Sequence, residues 1–163
     1  MQKQKGFSLI ELLIVVAIIL IIAAIAIPNL LRARIAANEA SAVGSVRTVN
    51  TAEITYSSSY STVGFASSLA NLAGTSCAPP TSSGACLIDT QLGSGAASTK
   101  SGYSFGISGA TGTPVSTYSI IAAPISPNQT GTRYFCSFAD AVVRFSQTTA
   151  ITTCDYSVSP LNQ

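Results

Sequence analysis

The stretch "KGFSLIELLIVVAIILIIAAIAIPNLL" at Lys5–Leu31 decides the architecture of the N-terminal part of this chain. Its run from Phe7 to Ile27 is apolar except for Ser8 and Glu11. At 1.5 Å per residue, a helix over this run is about 30 Å long, which matches the hydrocarbon thickness of a bilayer. The stretch therefore predicts a membrane-spanning helix.

The one carboxylate in this helix, Glu11, calls for an explanation. An ionisable side chain inside a membrane span costs about 3 kcal/mol on translocon scales, so its default interpretation is functional. Since residues 7–31 contain no other charged side chain, we expect its partner to come from another chain.

The basic leader "MQKQKG" indicates where that partner originates. A cut between Gly6 and Phe7 would remove the leader and create a new α-amine on Phe7. An amine with a pKa of about 8 is a suitable counter-ion for a buried carboxylate. We predict that Glu11 pairs with the Phe7 amine of an axially shifted neighbour, which fixes the register of stacked helices.

These residues resemble the N-terminus of a type IV pilin, and the resemblance covers roughly the first third of the chain. It implies a membrane peptidase that cuts after Gly6 and N-methylates Phe7. The family glutamate falls on Glu11 and a frequent proline falls on Pro28, where the helix can unwind in the filament. Pseudopilins of type II secretion share the motif, so it defines the superfamily better than the member.

Two other fates of the N-terminus stay open. Ala24-Ile25-Ala26 is a passable site for a conventional signal peptidase, which would release a soluble domain that begins at Ile27. The segment could also remain as an uncleaved anchor. The length of the apolar run and the presence of Glu11 favour the cut after Gly6 over both alternatives.

The composition excludes several function classes. Charged residues are 9% of the 163 residues, and the net charge is +2. Lys3 and Lys5 account for both charges, so a chain cut after Gly6 has side chains that sum to zero. No basic patch for nucleic acid remains, and no dinucleotide or phosphate loop is present. We expect no cofactor, and low net charge suits a polymer.

The four cysteines predict disulfides in an exported chain. Cys77, Cys86, Cys136 and Cys154 allow three pairings, of which the local one, Cys77–Cys86 with Cys136–Cys154, closes the shortest loops. The pilin resemblance favours Cys136–Cys154. A metal is not expected, because histidine is absent and the spacings lack paired CxxC motifs.

Beyond the membrane segment, the chain predicts an amphipathic helix that ends near Tyr60. Apolar residues recur at three- and four-residue steps, and Pro28 predicts a kink because it cannot donate to the carbonyl of Ala24. The positions that we expect to be apolar contacts are Leu31, Ile35, Ala42, Val46, Val49 and Ile54. The second half of this helix, 28–60, is expected to pack on a globular head, 61–163.

The head is predicted to contain a surface loop and then a sheet. Residues 61–102 are rich in Ser, Gly and Pro, with a short helical candidate at Ser67–Leu72. Strand signals follow at 102–109 and Thr117–Ile125, and 132–145 predicts a hairpin that turns at Ala139-Asp140. Residues 151–158 are a last short strand or a clasp. The predicted fold class is α+β, a long helix on an antiparallel sheet of about four strands.

No constellation of catalytic residues is expected, and we predict that the protein is not an enzyme. Without histidine, a Ser-His or Cys-His pair cannot form. Beyond the helix the acids are Asp89, Asp140 and Asp155, and a dyad would require two of them to converge. Lys100-Ser101 is more simply a solvated pair in a loop.

The resemblance to type IV pilins therefore implies a structural subunit of a pilus for adhesion or motility. It also implies that the subunit waits in the inner membrane among lipids, is cut by the prepilin peptidase, and stacks into a surface filament through the pilus assembly machinery. A type II secretion pseudopilin is the near alternative. The remote one is a secreted or anchored binding domain that does not polymerise.

Overall fold

A computed structural model of the protein describes residues 7–74, 77–95 and 98–161. The first helix, α1, runs over Leu9–Ser59 and contains Pro28. The chain divides into two compact units, Met1–Arg34 and Ile35–Gln163, which are described in turn.

The first unit consists of the N-terminal part of α1. Its residues combine good helix formers such as Leu and Ala with many Ile and Val. Nearly all side chains of residues 7–34 are exposed, so these described residues form no core of their own. The kink predicted at Pro28 stays a prediction, and α1 is helical on both sides of it.

The second unit contains the rest of α1 and a five-stranded antiparallel sheet in the order β1-β2-β3-β4-β5. The strands are β1 Thr99–Lys100, β2 Tyr103–Gly112, β3 Val115–Pro124, β4 Tyr134–Phe138 and β5 Arg144–Ser146. A short helix, α2, spans Leu69–Leu72. The α+β prediction is confirmed, with one strand more than expected.

The core of the second unit lies between α1 and the inner sheet face. From β2 and β3 the buried side chains include Tyr103, Phe105, Tyr118, Ile120 and Ala122, which alternate along each strand as the pleat requires. The helix contributes residues that follow each other at steps of three and four. They are Glu39, Ala42, Val46, Val49, Glu53 and Tyr56.

This buried face corrects the predicted apolar face of α1. Ile54 is 54% exposed, and its neighbour Glu53 is fully buried. The three-four spacing continues from Val49 to Glu53 and Tyr56, so Ile54 falls outside it. Leu31 is also exposed and lies in the first unit.

The region 61–102 is more than the surface loop that was predicted. Leu69, Leu72 and Leu92 are buried in the core of the second unit. The loop chain is fixed there by hydrogen bonds such as that from the Leu87 N–H to the Leu72 carbonyl, 2.7 Å. The Ser/Gly-rich composition therefore predicted the turns of this region but not the burial of its leucines.

The unpredicted strand β1 forms a tight hairpin with β2. Ser101 and Gly102 connect the two strands with φ values of 49° and 76°. Two successive positive φ values are the mark of a type I′ turn, whose twist suits antiparallel strands. The Ser-Gly pair was the available signal, although two residues of strand are too few to show a period.

The C-terminal part forms a clasp rather than a strand. Residues 147–161 contain no strand, and the Leu161 N–H donates to the Val143 carbonyl at 2.8 Å beside β5. The predicted hairpin of β4 and β5 exists, but five residues, 139–143, connect the strands instead of two.

The two disulfides have the local pairing. Cys77 joins Cys86 and Cys136 joins Cys154, so the second bond ties β4 to the C-terminal clasp. In the chain-entropy model, loops of these lengths each stabilise the fold by about 3 kcal/mol.

Candidate functional site

The start of α1 places Glu11 in a local hydrogen bond. The Ser8 backbone N–H donates to Oε2 of Glu11 at 2.9 Å. This is half of a capping box, in which a carboxylate at the third helical position reaches back to the cap residue. The donor is a neutral backbone group. Within residues 7–34, Glu11 forms no ion pair with a cationic side chain.

The side chains around Glu11 form an exposed apolar surface. Phe7, at the beginning of the described chain, is 82% exposed, and the apolar side chains from Leu9 to Leu31 are largely uncovered. By length and composition, α1 is the one helix in the described residues that could cross a membrane. An exposed apolar surface of this size requires lipid or protein to cover it.

The sequence predicted roles for three residues of this region, and the structure describes two of them. Glu11 lies in the first turn of α1, and Phe7 lies two residues before the helix begins at Leu9. Gly6, the expected cleavage position, lies outside the described residues. Cleavage after Gly6 and methylation of Phe7 therefore stay predictions, as does the pairing of Glu11 with a neighbouring amine.

In the second unit, Glu39 is held by a dense set of donors. The Thr132 N–H and hydroxyl each donate to Oε1 at 2.8 Å, and Nε of Arg133 donates to Oε2 at 2.7 Å. Burial raises the pKa of the Glu39 carboxyl, but these hydrogen bonds outweigh that effect and hold the pKa below its ordinary value. Glu39 thus joins α1 to the chain that enters β4.

Glu53 lies on the same helix face as Glu39, but its pKa is shifted in the opposite direction. Its Oε2 accepts a 2.8 Å hydrogen bond from the Ala66 N–H, and its Oε1 has no partner in the described residues. No cation among those residues forms an ion pair with it. Burial therefore raises the pKa of Glu53 to about 7, against the smaller effect of the Ala66 bond.

A buried polar network links α1 to the sheet between these glutamates. The Tyr118 hydroxyl donates to Oδ1 of Asn50 at 3.1 Å, and Nδ2 of Asn50 donates to the Ser137 hydroxyl at 2.9 Å. Both ends of the Asn50 amide are therefore satisfied. Such a network fixes the position of the helix on the sheet more specifically than apolar contacts alone.

The C-terminal clasp is organised around Arg144. Its Nη2 lies 2.6 Å from Oδ2 of Asp140, and its guanidinium lies 4.3 Å from the ring centroid of Phe138. The Tyr156 ring is 5.4 Å from the same guanidinium. The ion pair and the cation–π contacts stabilise the clasp beside the Cys136–Cys154 bond.

The candidate catalytic residues are engaged in structural contacts. Asp140 binds Arg144, and Nζ of Lys100 lies 2.8 Å from Oδ2 of Asp89. Ser101 accepts a hydrogen bond from Ser41 rather than facing a base. Among the described residues, no group of three or more His, Cys, Asp or Glu could hold a metal ion.

Comparisons with known proteins find similarity at the N-terminus of the chain. A family model described as the prokaryotic N-terminal methylation motif matches residues 1–27. Together with the long helix on an antiparallel sheet, this supports a type IV pilin.

A curated relative points the same way. The Type IV wide pilus major component PilA4 of Thermus thermophilus is 67% identical over 39 residues. That match covers 24% of this chain and 30% of the relative. No solved structure matches the chain.

The buried glutamates were missed by sequence reasoning. From the sequence, no role was assigned to Glu39 or Glu53. The steps 39, 42, 46, 49, 53 and 56 were visible in the sequence. However, a carboxylate on that face is expected only when its donors are known, and those donors come from 66 and 132–133.

Proposed function

We propose that the protein is the major structural subunit of a type IV pilus and polymerises through the first half of α1. The observation that carries this proposal is the exposed apolar helix with Glu11 near its start, on a chain with the N-terminal methylation motif. Such a helix suits a membrane before assembly and a filament core after it. The similarity to a wide-pilus major component supports a pilus rather than a pseudopilus.

In this proposal the prepilin peptidase cuts between Gly6 and Phe7 and methylates the new amine. The subunit leaves the inner membrane when assembly machinery moves it into the growing filament on the cell surface. Glu11 then pairs with the Phe7 amine of a neighbour. A wrong register would leave a carboxylate buried without a partner, which costs several kcal/mol and excludes that register.

The test separates the two roles open to Glu11, which are a helix cap and a register charge. Glu11→Ala removes both. Glu11→Gln keeps an oxygen that can accept from the Ser8 N–H but removes the charge. We expect both variants to stay in the membrane fraction and to form almost no filaments, as measured by electron microscopy and by the amount of sheared protein.

Filaments at the normal level from Glu11→Gln would reject the register charge and leave the cap as the role of Glu11. The location and length of the filaments formed by the wild-type protein, expressed at its natural level, distinguish a pilus subunit from a pseudopilin. Long surface filaments support a pilus subunit, and short periplasmic filaments without surface material support a pseudopilin. A binding domain that does not polymerise would give neither.

A further inference from the structure

We propose that two exposed surfaces of the second unit bind each other between neighbouring copies of this chain, with Arg47 of one copy beside Asp155 of the next. This inference rests on the proposed polymerisation and adds the residues that would join the heads. The starting point is the set of charges that the head leaves without a partner.

Most charged side chains in the described part of the second unit are paired within the chain. Lys100 binds Asp89, Arg133 binds Glu39, and Arg144 binds Asp140, with N–O distances of 2.6–2.8 Å. Three charged residues have no such ion pair, and one of them, Glu53, is buried. Arg47 and Asp155 are therefore the exposed cation and carboxylate that form no ion pair within the described second unit. The pKa of Asp155 is lowered by hydrogen bonds from Ser157 and, less strongly, by the charge of Arg144.

Arg47 lies on what we call the outer helix face, the exposed side of α1 in the second unit. This face comprises Gly44, Arg47, Thr48, Thr51, Ile54 and Thr55. Its threonine hydroxyls donate to carbonyls one turn earlier in the helix, at 2.9–3.1 Å. The hydroxyls are thus satisfied internally, and the face offers one positive charge beside apolar surface that includes the half-exposed Ile54.

Asp155 lies on what we call the clasp surface, with Tyr156 and Val142. Tyr156 is 81% exposed, and its ring meets the Phe138 ring edge-on with centroids 5.0 Å apart. One oxygen of Asp155 accepts from the Ser157 N–H at 2.8 Å. Since Arg144 is paired with Asp140, the surface offers one net negative charge beside an exposed aromatic ring.

The two surfaces are complementary in charge, and each adds an apolar side chain that is exposed to water. They are different surfaces of one chain, so contact between copies is heterologous. A heterologous contact that does not close into a ring continues into a helical filament. The opposite charges of the two surfaces therefore favour a second copy of this chain as the occupant of each surface, since every copy carries both.

The experiment uses charge reversal in the full chain in cells. We expect Arg47→Asp and Asp155→Arg each to reduce the sheared filament mass severalfold, because each places like charges opposite one another. The double variant restores the opposite charges and is expected to recover most of that mass. Lys100→Gln is the matched control, since it removes an exposed cation that already has a partner, and its filament yield should equal the wild type.

A second measurement does not depend on filament yield. Arg47→Lys introduces an amine that a carbodiimide can join to a carboxylate at contact distance. We expect cross-linked dimers from the filaments, with a peptide that joins position 47 to Asp155. Asp155→Asn should abolish that peptide.

The outcomes separate this inference from the proposed function. Normal filament yield from both single reversals, or filaments without the 47–155 cross-link, would overturn the interface and leave the pilus assignment standing. Loss of yield in the singles without recovery in the double would also overturn it. If the wild-type chain forms no polymer, the proposed function and the interface fall together.

Discussion

The two halves of α1 differ in how many hydrogen bonds their glutamates Glu11 and Glu39 receive. In the second unit, Glu39 receives four hydrogen bonds from its own chain, and the next apolar residues on its helix face, Ala42 and Val46, are buried. In the first unit, Glu11 receives one bond from its own backbone, and the apolar residues beside it are exposed. The second unit pairs most of its charged side chains within the chain and buries a core, so we expect it to fold alone. The described part of the first unit exposes its apolar side chains, so we expect lipid or other subunits to cover it.

The largest effect is expected when the second unit is produced without the first. We expect residues 35–163, secreted into an oxidising compartment, to fold into a soluble head that does not bind membranes and forms no filaments without the first unit. The reason is that the core and both disulfides lie within this segment. Circular dichroism and analytical ultracentrifugation check the prediction. An unfolded or aggregated product would show that the first unit is required by the second.

The next effect concerns the buried Glu53. Its folded pKa of about 7 lies above its ordinary value of 4.5, so folding takes up a proton between these pH values. Its contribution to stability is full below pH 4.5 and is lost as the pH rises to 7. At about 1.4 kcal/mol per pH unit, the loss is about 3 kcal/mol.

The measurement is the free energy of unfolding of the head against pH, compared with that of Glu53→Gln. We expect the variant to gain stability relative to the wild type as the pH rises from about 5 to about 8. Tyr56 and Tyr118 are the titratable groups whose pKa values Glu53 influences, and burial raises both further above this range. A constant difference between the two proteins would mean that Glu53 does not titrate there.

A smaller effect is expected from Glu39. Glu39→Ala leaves Arg133 and the Thr132 N–H without their acceptor and should lower the free energy of unfolding by about 2 kcal/mol. That is less than for a fully buried pair, because the Arg133 side chain is 34% exposed. Asp89→Ala is the matched control, since it breaks the exposed Lys100 pair and should cost less than about 1 kcal/mol. Equal losses in a denaturant titration would contradict the difference in burial.

The sequence alone supports much of this fold. The apolar period of α1, the four longer strands and the local disulfides follow from residues that are close in the chain. The buried glutamates do not, because their donors lie far away in sequence, as for Glu39 and Thr132. The core leucines of 61–102 were hidden by the turn residues around them. At the N-terminus, Phe7 and Glu11 could be singled out because a carboxylate in a membrane span is rare.

Cleavage after Gly6, followed by polymerisation through α1, is the proposal on which the filament function depends. Mass spectrometry of the N-terminal peptide, from protein sheared off cells, tests this cleavage. We expect a peptide that begins at N-methylated Phe7 and contains Glu11. A mature chain that begins at Ile27 would contradict it, because Glu11 and the whole apolar helix would have been removed with a conventional signal peptide.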